Sequence, residues 1–317
     1  MKNEAKTMEI DLVYLWVDGS DPVWQAKKNA FTGNVEDNTS IDCKGRHADN
    51  DELKHSLRSV EKYALWIRKI FIITDNQTPS RIDTANPKIK IINQNDILPL
   101  ESLPCYNSVI IEYFLYKIPD LSEHFLYAND DMFFNATASP DFFFAKDGFP
   151  IVRLKNKPFG KWHYRWKKLT KKPLSTYRQT VLNAALLIEK KFGVFYSGMP
   201  HHNIDAYRKS DLKYLVENVF AAEIEKITNN HFRTSFDTQR AVFGYYALVV
   251  EHGHLKYVNI KESCLILLYR NNYIRILERC KPYLFCINDD NLANDNDRMS
   301  VKIFLETVFP QKSKFEK

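Results

Sequence analysis

With 317 residues, 44% of them hydrophobic and 14% aromatic, the chain can bury a sizeable core, which excludes a disordered or low-complexity protein. Its net charge is +6, and its five cysteines, an odd number without a Cys-x-x-Cys pair, argue against a disulfide framework and a structural zinc site. No apolar run approaches the roughly 18 residues of a membrane span, and Met1 to Met8 lacks the apolar centre of a signal peptide, so a soluble protein of a reducing compartment is expected.

Residues Glu9 to Val17 form an apolar, β-rich run too short for a helix and predict a buried first strand. It ends at Asp18-Gly19-Ser20-Asp21-Pro22, a concentration of turn formers. A nucleotide can rest at such a strand-to-turn junction, but neither a G-x-G-x-x-G fingerprint nor a P-loop is present. Asp18 reads equally well as a ligand-contacting carboxylate and as a turn residue. Phe31 to His47 is polar and aperiodic, as expected of a surface loop. A helix follows, capped by Asn50 or Asp51, with Leu53, Leu57, Val60 and Ala64 at helical spacing. Ile67 to Thr74 and Lys88 to Asn93 are expected strands. Tyr106 to Ile118 predicts a helix that buries Ile110, Ile111, Phe114, Leu115 and Ile118 and stops at Pro119. Phe125 to Asn129 is the next strand. Strands and helices alternating over short connections predict an α/β fold, a mostly parallel sheet flanked by helices.

The stretch His124 to Phe134 is the expected seat of the chemistry. Asp130 and Asp131 stand at the C-terminal end of its strand, where ligands collect in open α/β sheets. Adjacent carboxylates among apolar residues repel each other unless a cation or proton intervenes, and Mg²⁺ takes oxygen ligands of this kind. The alternative is a polar turn, with Asn129 and Asp130 supplying turn hydrogen bonds.

Further on, Gly148 to Leu187 contains ten Lys or Arg and no acid, so the remainder of the chain is acidic on balance. Residues 148–188 are expected to be a basic insertion within one domain spanning 8–317. A helix from Ser175 to Lys191 closes at Gly193. Met199-Pro200-His201-His202 presents two histidines whose side chains should diverge, with no third soft ligand nearby in sequence, which speaks against a zinc pair. Arg233 precedes an expected helix, Phe236 to Val250, and reads as either a surface cation or a phosphate ligand. Phe285 to Asp290 repeats the aromatic-then-acid strand end. The last helix is expected from Asp297 to Phe309, stopped by Pro310.

Four blocks together resemble the Stealth family, the sugar-1-phosphate transferases of capsule and cell-surface polysaccharide synthesis. They are Ile10 to Pro22; then Asp51-Glu52-Leu53, Ser56 to Glu61, Ile70 to Thr74 and Phe125 to Phe133; then Met199-Pro200-His201; then Cys286 to Asp289. One departure stands out: the family's third block usually carries a histidine two residues before the proline, where this chain has Gly198.

The resemblance implies a GT-A-like fold that binds a nucleotide sugar, expected to be a UDP-sugar, and a divalent ion, Mg²⁺ or Mn²⁺. It implies transfer of the whole sugar-1-phosphate to a hydroxyl of a glycan or lipid-linked glycan, with release of the nucleoside monophosphate. Asp130, Asp131 and Asp289 would hold the metal, and Asp18, Gly19, Arg58 and Asn129 would line the nucleotide sugar. His201 would be the general base, and Arg233, with Asp130, would act on the transferring phosphoryl group. The implied location is cytoplasmic, at the inner face of the plasma membrane, with peripheral membrane contact and no nucleic-acid partner. Two rivals stand beside this reading: an ordinary glycosyltransferase that releases the diphosphate, and a non-enzymatic binder of polyanions through the basic segment and its Trp162 and Trp166.

Overall fold

The computed structural model describes residues 8–32, 48–289 and 292–317. Of the expected loop Phe31 to His47, Phe31 and Thr32 end a helix and the rest lies outside the described residues, as does Asp290.

The chain opens with β1 (Ile10–Leu15) and α1 (Pro22–Thr32), followed by α2 (Glu52–Tyr63), β2 (Ile70–Thr74) and β3 (Ile89–Asn93). Next come α3 (Ser108–Tyr113), β4 (His124–Asn129), β5 (Met132–Phe134), β6 (Ile151–Lys155), α4 (Gly160–Leu169) and α5 (Thr176–Phe192). Then follow β7 (Met199–Pro200), β8 (Asp205–Arg208), α6 (Lys209–Tyr214), α7 (Ala221–Thr228) and α8 (Ala241–Val249). The last elements are β9 (His254–Tyr257), β10 (Ser263–Leu267), α9 (Tyr273–Cys280), β11 (Leu284–Asn288) and α10 (Asp295–Val308).

The principal sheet has the order β3-β2-β1-β4-β8. Its first four strands are parallel, and β8 is an antiparallel edge. Side chains alternate between the two faces of a strand, and here both faces are covered. Val13, Phe71, Phe125 and Tyr127 face a core shared with α3, α5 and α8, while Leu12, Tyr14, Ile72 and Leu126 face one shared with α2. That is why these strands are largely apolar, with Asp11 of β1 buried and paired with Arg68.

Leu15 pairs with Ile73 on one side and Asn129 on the other. The three parallel strands therefore end together, and the turns carrying Asp18, Asp75 and Asp130 emerge at one edge. Gln77 ties two of these turns, accepting from the Asp18 N–H at 3.0 Å and donating to the Asp18 carbonyl at 2.9 Å. Two three-stranded sheets adjoin the first, β10-β11-β5 and β7-β6-β9. Because β5 follows β4 after a two-residue turn and pairs with β11, the two aromatic-then-acid strand ends are neighbours.

The expected helix over Tyr106 to Ile118 is α3 followed by a 3₁₀ turn, Leu115–Lys117. The one expected from Phe236 starts only at Ala241, because Asp237 accepts from the Thr234 N–H at 2.8 Å and holds 234–237 in a turn. Gly193 ends α5 at φ 76°, the left-handed cap that glycine adopts without steric cost. The acid-free segment 148–188 contributes to both sheet and helix layers. Its β6 is the central strand of a sheet, α4 is exposed, and α5 packs on α8.

Candidate active site

The common strand edge gathers carboxylates that are far apart in sequence. Burial raises Asp130 well above the usual carboxylate range, and Glu52, Asp131 and Asp49 add to the effect. Burial likewise pushes Glu52 up to about 8, against two hydrogen bonds from Asn50, and it raises Asp49, which also feels Asp51 and Asp18. Asp131 is pushed up to about 6, mainly by burial, and is partly relieved by the Cys286 thiol donating to its Oδ2 at 3.2 Å. Its Oδ1 is buried without a partner. Like charges so crowded, with an orphaned buried oxygen among them, call for a proton or a cation to intervene.

His201 and His202 diverge, as expected of neighbours. His201 is buried, and both its ring nitrogens are engaged: Nδ1 with Ser263 Oγ and Nε2 with Asp205 Oδ1, each at 2.9 Å. Burial would raise Asp205, but His201 and Arg240 hold it below the usual carboxylate range. Arg240 lies at 3.3 Å from Asp205 Oδ2 and 3.5 Å from Glu112 Oε1, over the ring of Tyr127. The Tyr127 hydroxyl lies 2.9 Å from both Glu112 Oε1 and Asn129 Oδ1, so this buried network runs from His201 back to the end of β4.

His202 turns the other way. It sits at φ 56°, an uncommon conformation for a residue other than glycine and one that clusters at functional sites. Burial depresses its pKa to about 3, reinforced by Arg240, Lys155 and Arg233, so the ring is neutral at physiological pH. Ligating atoms of Asp131, His202 and Cys286 all lie within 4.8 Å of one another. The soft ligand absent from the local sequence therefore arrives from β11. Gly198, the departure from the family pattern, packs against β6, where an added Cβ would stand 2.9 Å from that of Leu154. The backbone approaches too closely there for any larger residue.

Arg233 donates to Ser108 Oγ, and its charge reaches both His202 and Tyr127. Asn129 ends β4 beside Asp130. Asp18 accepts from Ser20 N at 2.8 Å and Ser20 Oγ at 2.6 Å, and the Gly19 carbonyl accepts from Gln25. Two expected residues have other partners. Asp289 accepts from Arg298 through both oxygens, at 2.8 and 3.0 Å, so α10 clamps it. Each guanidinium nitrogen of Arg58 is engaged with Glu316, Glu306 or the Phe309 carbonyl, so it ties α2 to the C-terminal segment.

Sequence reasoning passed over Glu52, Asp49, Glu112, Asp205 and Arg240. Asp205 was detectable as an acid four residues beyond His201. The others resembled a helix-start acid, a loop acid and members of ordinary helices.

The sequence profile of Stealth protein CR1, conserved region 1, matches residues 8–36, and that of Stealth protein CR2, conserved region 2, matches residues 46–152. An exopolysaccharide phosphotransferase of Lactiplantibacillus plantarum is 30% identical over 98% of this chain and 96% of its own length. A capsular polysaccharide phosphotransferase of Actinobacillus pleuropneumoniae is 33% identical over 92% of this chain and 79% of its own. Among solved structures, galactosyltransferase LgtC in complex with donor and acceptor sugar analogues overlaps 96% of each chain at 12% identity and a TM-score of 0.46. With relatives of this identity and extent, the chain belongs to the Stealth family and is a phosphotransferase enzyme.

Proposed function

We propose that the enzyme transfers a sugar-1-phosphate from a nucleotide sugar, expected to be a UDP-sugar, to a hydroxyl of a glycan or lipid-linked glycan in cell-surface polysaccharide synthesis. The observation that carries this reading is the meeting of uncompensated carboxylates at the end of β4 with a neutral His202 and the cations Arg233 and Arg240. The acceptor oxygen forms a bond to the β-phosphorus. The bond from that phosphorus to the bridging oxygen breaks, and the nucleoside monophosphate leaves with the electron pair.

Asp130 and Asp131 are the residues that would hold Mg²⁺ or Mn²⁺, and the ion would offset the charge of the donor diphosphate. Asp289 joins them only if Arg298 releases it. Asp18, Gly19 and Asn129 border the nucleotide sugar. Arg233 bears on the phosphoryl oxygens, where charge builds in the transition state.

The proton of the acceptor hydroxyl goes to His202. His201 was the sequence-based choice, but its two nitrogens already serve Ser263 and Asp205, which suits a residue that positions its neighbour. His202 is partly accessible and beside Asp131, and the negative charge of the bound donor would raise its pKa from about 3 toward the range a general base needs. The work is placed on the cytoplasmic side, with peripheral contact to the membrane.

Incubation with a panel of nucleotide sugars and a glycan acceptor, followed by separation of the nucleotides, tests the reaction type. The reading expects one nucleoside monophosphate per transfer. Stoichiometric release of the diphosphate would make the enzyme an ordinary glycosyltransferase and end this proposal.

A further inference from the structure

The acid-free segment contributes β6 to the core, yet its central part, α4, is not used by the proposed chemistry. Phe159, Trp162, Trp166 and Leu169 recur at intervals of three, four and three residues, which places them on one face. They are 75%, 70%, 50% and 83% exposed. Soluble proteins seldom leave a contiguous apolar stripe of this kind uncovered.

The helix is held to the body from its other side. Lys161 pairs with Glu189 of α5, Gly160 packs against Ser197, and Tyr164 is half-buried. Cations border the stripe: Arg165 lies 5.8 Å from the Trp162 ring centre and Lys172 5.1 Å from that of Trp166. Lys157, Lys171 and Arg178 are also exposed, and no acid occurs between Gly148 and Leu187.

We infer that α4 is an interfacial helix that seats the enzyme on an anionic lipid surface. Its apolar face would enter the boundary between headgroups and acyl chains, while the flanking cations meet the anionic headgroups. A polyanionic glycan would account for the cations, and flat rings stack on sugars. It gives no reason for Leu169 and Phe159 to be the most exposed residues of the stripe. A bilayer explains both.

The placement also relates to the catalytic edge. β6, which leads into α4, pairs with β7, which leads into His201 and His202, and the charge of Lys155 at its end reaches His202. A membrane bound at α4 therefore lies beside the mouth of the site. The inference rests on the membrane contact of the proposed function and gives it a site, and it is tested apart from the reaction because vesicle binding is read out without turnover.

The test is flotation of the whole protein with phosphatidylcholine vesicles, with and without about one-third phosphatidylglycerol. Three proteins are compared: the unaltered chain, the triple variant Phe159→Ser, Trp162→Ser, Leu169→Ser, and the triple variant Arg165→Gln, Lys171→Gln, Lys172→Gln. Circular dichroism confirms folding, and single Trp162→Ser serves if a triple variant does not fold. The unaltered chain should bind the anionic vesicles and blue-shift its tryptophan emission. The charge variant should bind them on the order of 100-fold more weakly. The apolar variant should lose the vesicles but keep any affinity for soluble dextran sulfate. Failure of the folded, unaltered chain to bind anionic vesicles overturns the inference. So does binding that survives the apolar variant and is competed away by dextran sulfate, which would make α4 a polyanion-binding surface.

Discussion

Two strand ends carry nearly the same sequence and have opposite electrostatics. At the end of β4, Asn129-Asp130-Asp131 follows Phe125, and at the end of β11, Asn288-Asp289 follows Phe285. The two are neighbours, since the Ile287 N–H donates to the Asp131 carbonyl at 3.0 Å. Asp289 is clamped by Arg298 through two hydrogen bonds, and both side chains are almost fully buried. Asp130 meets Glu52, Asp131 and Asp49 instead. The local pattern marks a strand end. Whether that end is a clamp or a reactive site depends on what a distant element brings to it.

The comparison can be broken by changing each acid in turn. Asp130→Asn should lower kcat by on the order of 10³-fold or more, the several kcal/mol a divalent ion contributes to stabilising charge in the transition state. Asp289→Asn should change kcat far less. Stability should follow the reverse order. Asp289→Asn weakens the clamp on Arg298, which keeps Asp295 as its remaining carboxylate, and should cost about 2 kcal/mol, lowering Tm. Asp130 has a folded pKa raised above its unfolded one, so its stabilising contribution is complete only below the unfolded value and disappears as pH rises. At neutral pH its charge is a burden to the fold, and Asp130→Asn should melt no lower than the parent. Steady-state kinetics and thermal melts on the two variants decide the matter. An inactive Asp289→Asn with an unchanged Tm would invert the assignment.

The adjacent histidines offer a finer version of the same contrast, one ring clamped and one open. Losing a general base costs about 10²–10⁴ in rate, so His202→Asn should lower kcat in that range with little change in donor KM. His201→Asn removes the tie between Ser263 and Asp205, and its larger effect should be on Tm. If His201→Asn loses turnover with the fold intact and His202→Asn is mild, the base is His201 and the buried ring must move during the reaction.

Much of this edge was legible before any coordinates. The largely apolar strands, the turn residues after each and the acid pair at Asp130-Asp131 follow from two-sided burial and strand-end geometry, and local sequence carries both. What local sequence does not carry is the partner. Arg298 reaches Asp289 from α10, Glu306 and Glu316 reach Arg58 from the C-terminal segment, and Cys286 reaches Asp131 and His202 across a sheet contact. Glu52 looks like an acid favouring a helix N-terminus, and only tertiary packing buries it beside Asp130. Arg240 stands at the start of a helix like any surface cation, yet it is buried over Tyr127. Apart from Arg298 and Asp205, the latter four residues from His201, these partners arrive from distant parts of the chain.

The β4 end, and not the β11 end, is the expected seat of the divalent ion. Calorimetric titration of Mg²⁺ and Mn²⁺ into the parent, Asp130→Asn and Asp289→Asn proteins tests it most directly. In the empty site Asp131 keeps its proton up to about 6 and Glu52 up to about 8, so the ion must displace protons and its affinity should rise with pH. The parent and Asp289→Asn should therefore bind the ion, more tightly at about pH 8.5 than at about pH 5.5, while Asp130→Asn should not. Parent-like binding by a folded Asp130→Asn, or its loss in a folded Asp289→Asn, would contradict the account.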